Sequence, residues 1–253
     1  MNDATIHRAA ELVQKSNTIV AFTGAGISTP SGIPDFRSEK SGLWDQVDAM
    51  EVASIYGFRQ NPQAFFDWVR PLAQTTLKAI PNPAHTALVQ LEKISKLDCI
   101  ITQNIDMLHT RAGNTVVHEL HGHMREATCI HCFTKYDASP IIEDVIATGK
   151  VPHCPKCNGV LKPDVILFGE QLPYKQVQYA RDAARRCDLM LVLGSSLEVF
   201  PASDLPVLAH RNNAKIIIIN LQPTPLDTVA DVLIHEDVAQ VLPAIMTQLE
   251  IAK

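Results

Sequence analysis

Residues 18–28 read TIVAFTGAGIS. The first six positions form a run rich in apolar and β-branched residues, with no polar side chain between Ile19 and Phe22. Strands covered on both faces show such continuous runs, whereas half-buried strands alternate. The run ends in Thr23-Gly24-Ala25-Gly26, and glycines at a strand-to-helix turn let the backbone approach a pyrophosphate with its amide N–H groups. The fingerprint is incomplete. Thr29 stands where a third glycine is usual, and no strand ends in an acidic residue at the customary distance.

Working outward, further apolar runs occupy residues 98–102 (DCIIT), 164–168 (DVILF), 188–193 (DLMLVL), 215–219 (KIIII) and, more weakly, 232–235. Helix-period segments lie between many of them: 3–15, 84–95 behind a Pro-Asn-Pro start, 174–186, 202–211 and 237–250. Strands alternating with helices predict an α/β fold with a doubly wound parallel sheet. The strand ends carry Thr102-Gln103-Asn104, Phe168-Gly169-Glu170, Gly194-Ser195-Ser196 and Asn220. In an open parallel sheet these carboxyl ends share one edge, where ligands bind. Two stretches break the alternation. Residues 42–82 hold six of the fourteen aromatic residues with helical character, and residues 123–162 hold paired cysteines. Both are expected to be insertions, leaving 1–41, 83–122 and 163–253 for the sheet domain.

Composition narrows the classes. The 253 residues are 46% hydrophobic and 19% charged, which excludes a disordered chain. The net charge of −5 lacks the basic excess expected of a protein that grips nucleic acid through its phosphates, so nucleic acid is not expected as a direct ligand. No run of 18 apolar residues occurs, and the charged, helix-period N-terminal segment lacks a signal core. A cytoplasmic protein without a membrane partner is expected, and without a coiled-coil seam or apolar tail the default state is a monomer.

Four of the six cysteines form two C-x-x-C pairs, Cys129/Cys132 and Cys154/Cys157, separated by 21 residues. Two such knuckles bring four thiolates around one ion in the tetrahedral geometry of Zn²⁺. All four positions would be sulfur, with none open for water, so the metal is expected to be structural. Redox dithiols are the alternative, but neither pair opens a helix after a strand. His131 and His153 adjoin the knuckles as bystanders.

The polar constellations are Ser31-Gly32-Ile33-Pro34-Asp35-Phe36-Arg37, Gln103-Asn104-Ile105-Asp106 and His118-Glu119-Leu120-His121-Gly122-His123. The last has the wrong spacing for a zincin, because two residues rather than three separate His118 from His121. His121, beside a glycine near the sheet edge, stands as either a structural or a catalytic imidazole. His85 and His109 fall in helix-like segments and read as structural.

Taken in order, GAGISTPSGIPDFRS (24–38), TQNIDMLHTRAG (102–113), HELHG (118–122), the two C-x-x-C pairs, VILFGE (165–170), GSSL (194–197) and INL (219–221) resemble the sirtuins, NAD-dependent protein-lysine deacylases. The resemblance spans nearly the whole chain and is to the bacterial and archaeal type. It implies a Rossmann-like domain with a smaller module built from the zinc and helical insertions. It further implies that Gly24, Ala25, Gly26, Asp35, Phe36 and Arg37 hold the NAD pyrophosphate and shield the nicotinamide ribose. Gln103 would contact a ribose, and Asn104, Ile105 and Asp106 would receive the nicotinamide carboxamide. Gly194, Ser195, Ser196, Asn220, Leu221 and Val238 would line the adenosine side. His121 matches the general base. Ile166, Phe168 and Gly169 match the segment that pairs with substrate peptide as an added strand. The implied reaction moves the acyl group of acetyl-lysine to ADP-ribose and releases nicotinamide.

Relatives that prefer succinyl or malonyl groups carry a Tyr-x-x-Arg pair in the helical insertion. Tyr56 and Arg59 have that spacing, but Val69 and Leu72 stand at the matching place, so a neutral pocket and acetyl-lysine are expected. Mono-ADP-ribosyl transfer on the same NAD contacts, a zinc-module nucleic-acid binder and an ordinary NAD dehydrogenase are the competing readings.

Overall fold

The computed structural model describes residues 2–35, 43 and 47–251. A six-stranded parallel sheet contains β1 (Ile19–Thr23), β2 (Leu97–Thr102), β3 (Val117–Glu119), β7 (Leu189–Leu193), β8 (Lys215–Ile219) and β9 (Val232–Ile234). Its spatial order is β3-β2-β1-β7-β8-β9. The chain therefore winds to one side of β1 and then crosses to the other, which places the reversal between β1 and β7.

Side chains alternate across the sheet. Ile19, Ala21, Leu189, Leu191, Leu193, Ile217 and Ile219 face one apolar layer with α1 (Asp3–Lys15), α5 (Pro83–Lys93) and α10 (Val238–Ile251). Val20, Phe22, Met190, Val192, Ile216 and Ile218 face the other, with α8 (Tyr174–Arg186) and α9 (Asp204–Arg211). Each central strand is buried on both sides, which accounts for the unbroken apolar runs. Helix ends are set by local chemistry. Asn2 accepts from Ala4 N to start α1, and Asn82 accepts from Ala84 N to start α5, with Pro83 in the first turn.

The smaller module joins both insertions. Its antiparallel sheet contains β4 (Gly122–Cys129), β5 (Lys135–Asp137) and β6 (Leu161–Val165), in the order β5-β4-β6, with α7 (Ala138–Thr148) packed on it. The helical insertion supplies α2 (Ala49–Val52), α3 (Ile55–Gln60) and α4 (Pro62–Lys78). Phe58, Phe65 and Phe66 meet edge to face at 5.1–6.0 Å and share one apolar cluster with Ala127, Ile142, Val145 and Leu161. Arg70 Nε donates to Ile146 O at 2.8 Å, and Gln63 Nε2 donates to Gly149 O at 2.8 Å, tying α4 to the zinc insertion.

Two sequence expectations change. The run at 164–168 is not a strand of the parallel sheet: Leu161–Val165 pairs antiparallel with β4, and the boundary expected at 162/163 falls inside that strand. Residues 165–168 are apolar because they line a cavity, not because helices cover them on two faces. Conversely, Val117–Glu119 forms the edge of the parallel sheet, a strand too short to stand out. Among the described residues, no helix is long and apolar enough to cross a membrane.

Candidate active site and metal centre

The β1 and β7 loops interlock at the reversal point. Gly24 N donates to Leu193 O at 3.1 Å, and Gly26 N donates to Gly194 O at 2.8 Å. Gly194 has φ +59°, and a Cβ there would stand 2.2 Å from Ile27 N; one on Gly24 would stand 2.7 Å from Gly194 O. Only bare backbone fits on both sides, and the result is an open glycine cradle at the carboxyl edge of the sheet.

The β2 loop closes against this cradle. Asn104 Nδ2 donates to Gly24 O at 3.0 Å and to Ser28 Oγ at 3.2 Å. Ser28 Oγ donates to Asp106 Oδ2 at 2.6 Å, and Leu108 N donates to Asp106 Oδ1 at 2.8 Å. Burial raises the Asp106 carboxyl above the ordinary range, although these two donors oppose the shift. Ser28 joins Asn104 to Asp106 yet was not singled out from the sequence; its place inside GAGIS was the available signal.

Gln103 connects three elements. Its N–H donates to Thr23 O at 3.0 Å, its Oε1 accepts from Ser195 Oγ at 2.9 Å, and its carbonyl lies 2.9 Å from His121 Nδ1. A carbonyl only accepts, so Nδ1 of His121 carries the proton. In the neutral ring Nε2 is then the basic nitrogen. His121 follows the parallel sheet's last residue on that edge by two positions, and its carbonyl accepts from Ile166 N at 2.8 Å. It thus sits at the junction of the large sheet and the small one.

A cavity of about 590 Å³ runs through this junction. Ala25, Ser28, Gln103, Asn104, Ile105, Asp106 and His121 line its polar side. Phe65, Trp68, Val69, Leu72, Val165 and Leu167 line an apolar side, and Ile166, Phe168 and Gly169 lie along it. Phe168 is anchored by N–H donation to Ala53 O and by acceptance from Ile55 N, both at 2.9 Å. Lys162 Nζ lies 3.0 Å from Glu170 Oε2, and Leu167 N donates to the same oxygen at 2.8 Å, which fixes the ribbon from 162 to 170.

Tyr56 and Arg59 do not line the cavity; both are exposed, and the Tyr56 ring lies over Gly169.

The other expected residues are more dispersed. Asn220 is buried, its Nδ2 donating to Gln222 O at 2.7 Å, and Ser196 is half-buried. Leu221 is exposed at the end of β8. The Val238 side chain, at the start of α10, packs in the apolar core. Asp35 accepts from Leu43 N through its carbonyl at 3.0 Å. Phe36 and Arg37 lie outside the described residues.

At the far end of the small sheet, the Sγ atoms of Cys129, Cys132, Cys154 and Cys157 all lie within 4.8 Å of one another. Two of the spacings are 3.5 Å and 3.7 Å. A tetrahedron with metal–sulfur bonds of ~2.3 Å places its sulfurs ~3.8 Å apart, so the cage fits Zn²⁺. His131 and Cys132 donate backbone N–H to Cys129 Sγ at 3.4 Å, and Tyr136 Oη lies 3.1 Å from Cys154 Sγ. Neither His131 nor His153 belongs to the cluster.

A dinucleotide-type parallel sheet, a glycine cradle and a thiolate-caged module define an α/β enzyme class with its site between two lobes. Residues 24–201 match the model of the Sir2 family. The NAD-dependent protein deacylase 2 of Archaeoglobus fulgidus is 47% identical, covering 97% of this chain and 96% of its own. A Sir2 enzyme solved to explain the mechanism and regulation of that family superimposes with TM-score 0.94 at 45% identity, over 100% of both chains. A Sir2 protein bound to a myristoylated histone peptide superimposes with TM-score 0.86 at 41% identity, over 99% of this chain and 98% of that one. The chain belongs to the Sir2 family.

Proposed function

We propose that this protein is an NAD-dependent protein-lysine deacylase that accepts acetyl-lysine in the cavity between its two lobes. The observation that carries the reading is His121. Its tautomer is set by the Gln103 carbonyl, and it stands where the glycine cradle meets the apolar channel. NAD supplies, when bound, a ribose carbon that becomes electrophilic as nicotinamide departs, and the acyl group ends on ADP-ribose.

Gly24, Ala25 and Gly26 offer backbone to the pyrophosphate, with Asp35, Phe36 and Arg37 assigned beside them. Gln103 is assigned to the ribose. Asn104, Ile105 and Asp106 receive the carboxamide, and the Ser28–Asp106 and Asn104–Gly24 bonds hold that pocket in shape. Gly194, Ser195, Ser196, Asn220, Leu221 and the backbone of Val238 form the adenosine side. His121 Nε2 takes a proton from a ribose hydroxyl, with Nδ1 anchored to keep the ring oriented.

On the other side, the ribbon through Ile166, Phe168 and Gly169 takes the substrate backbone as an added strand. Phe65, Trp68, Val69, Leu72, Val165 and Leu167 surround the acyl chain and exclude water. None of these six carries charge, which favours a neutral acyl group over a succinyl one. The thiolate cage and the buried Cys99 and Cys187 thiols suit a reducing compartment, and we assign the protein to the cytoplasm as a monomer.

The test is incubation of the zinc-loaded protein with acetyl- and succinyl-lysine peptides, with and without NAD, and mass analysis of every product. Nicotinamide, the deacylated peptide and O-acetyl-ADP-ribose are expected, with acetyl turned over faster than succinyl. A His121→Ala variant is expected to stay folded and to lose about 10²–10⁴ in rate, the usual weight of a general base. A stable protein adduct would mean ADP-ribosyl transfer, and untouched peptide would refute the reading.

A further inference from the structure

Two enclosed histidines lie beneath the dinucleotide end of the cleft, His85 in the first turn of α5 and His109 in α6 (Leu108–Ala112). They are 0% and 2% exposed, and their ring centroids are 4.9 Å apart with planes tilted by 52°. One nitrogen on each has a partner. His85 Nδ1 accepts from Asn82 N at 3.3 Å, and His109 Nε2 lies 3.0 Å from Thr23 Oγ1. The other two, His85 Nε2 and His109 Nδ1, are buried without a hydrogen-bond partner. Isolated buried polar atoms are rare enough that a pair on neighbouring rings calls for an account.

The network fixes where the protons sit. His85 Nδ1 accepts, so in the neutral ring its proton is on Nε2. Thr102 Oγ1 receives the Asn104 N–H at 3.0 Å and the Thr23 hydroxyl at 2.8 Å. The single Thr23 proton is used there, so His109 Nε2 must be the donor to Thr23, and His109 Nδ1 is left bare. The two unpartnered nitrogens are thus one donor and one acceptor. Turning the Thr23 hydroxyl the other way would leave a buried donor on each ring and no acceptor for either.

We propose that His85 and His109 are positioning residues for the dinucleotide: a one-directional hydrogen-bond chain runs from Asn82 through both imidazoles to Thr23 and Thr102. The two facing nitrogens are not in direct hydrogen-bond contact, so the step between the rings is made through one water or by a small turn of a ring. Thr23 precedes Gly24, and Thr102 precedes Gln103 and Asn104, so the chain ends under both walls of the cradle. Its other end grips the same loops from outside, since Asn82 Nδ2 donates to Ile27 O at 2.8 Å and to Ser31 Oγ at 3.0 Å. Burial lowers both imidazole pKa values, that of His85 to about 4, so the rings stay neutral at physiological pH and the chain keeps its direction. The proposal rests on the reading that this cleft takes NAD.

Two measurements test it. Nitrogen NMR of histidine-labelled protein reads the tautomers without any catalysis: both rings are expected in the Nε2–H form, and a proton on His109 Nδ1 would overturn the chain. The second compares His85→Gln, whose amide can accept from Asn82 and donate onward, with His85→Leu, which can do neither. In the leucine variant the KM for NAD is expected to rise about fivefold to tenfold, the size of one lost buried hydrogen bond, while the peptide KM holds within about twofold and glutamine restores the NAD value. An equal rise in both variants, or a lower melting temperature with an unchanged NAD KM, overturns it. Should the leucine variant fail to fold, the tautomers of the native protein decide. Failure of the deacylase reading would show as an inactive native protein and would leave the tautomer result standing.

Discussion

The two lobes reach stability by different means. In the parallel sheet, β1 and β7 are buried at all five positions each, and two apolar layers sandwich them. In the small module, the buried positions of β4 are interleaved with half-buried ones and with exposed Arg125, and the sheet closes on a cage of four thiolates. A lobe with two covered faces can rely on apolar burial. A three-stranded sheet with little interior of its own borrows a metal and the phenylalanines of a neighbouring insertion.

Metal removal should separate the lobes most sharply. Cys154→Ala, or a strong chelator, is expected to abolish folding of the module, because structural zinc contributes about 10 kcal/mol or more to small metal domains. Zinc stoichiometry together with near-ultraviolet dichroism measures it, and a metal-free protein with a native module would break the contrast. The parallel sheet should instead respond to lost volume. Ile217→Ala is expected to cost about 2–5 kcal/mol in urea denaturation, with bound zinc unchanged.

The smallest effect concerns pH. The enclosed His85 is held to about 4, against ~6.5 in the unfolded chain, so below pH ~6.5 the unfolded state binds the extra proton. Its neutral form therefore stabilises the fold fully above that pH, and the contribution fades as pH falls from 6.5 toward 4. Between pH 7 and pH 5 the native protein should lose about 2 kcal/mol more than His85→Gln does. Asp106, whose carboxyl is raised by burial, acts with the opposite sign in both proteins and cancels from the difference.

The same contrast explains what could be read from the sequence. Strands β1, β2, β7 and β8 announced themselves as continuous apolar runs because helices cover both of their faces. The cysteine knuckles were legible from spacing alone, since ligand geometry demands it. The run ending at Phe168 misled because a cavity wall carries the same apolar side chains as a sheet interior, and periodicity cannot tell the two apart. Val117–Glu119 escaped notice because three residues at a sheet edge carry too little pattern. Within the site, the cradle and the Gln103–Asp106 loop were visible as motifs. That Val238 faces the core, and that Ser28 bridges Asn104 to Asp106, depends on contacts between elements far apart in the chain.

One ribbon, residues 161 to 169, starts as a rail of the sulfur-bearing sheet and finishes as a wall of the cavity. Loosening its first end, by oxidation or by metal starvation, would disturb that wall without touching the helix-flanked lobe. A cage of four sulfurs, with no position left for water, is thereby wired to the shape of the cavity.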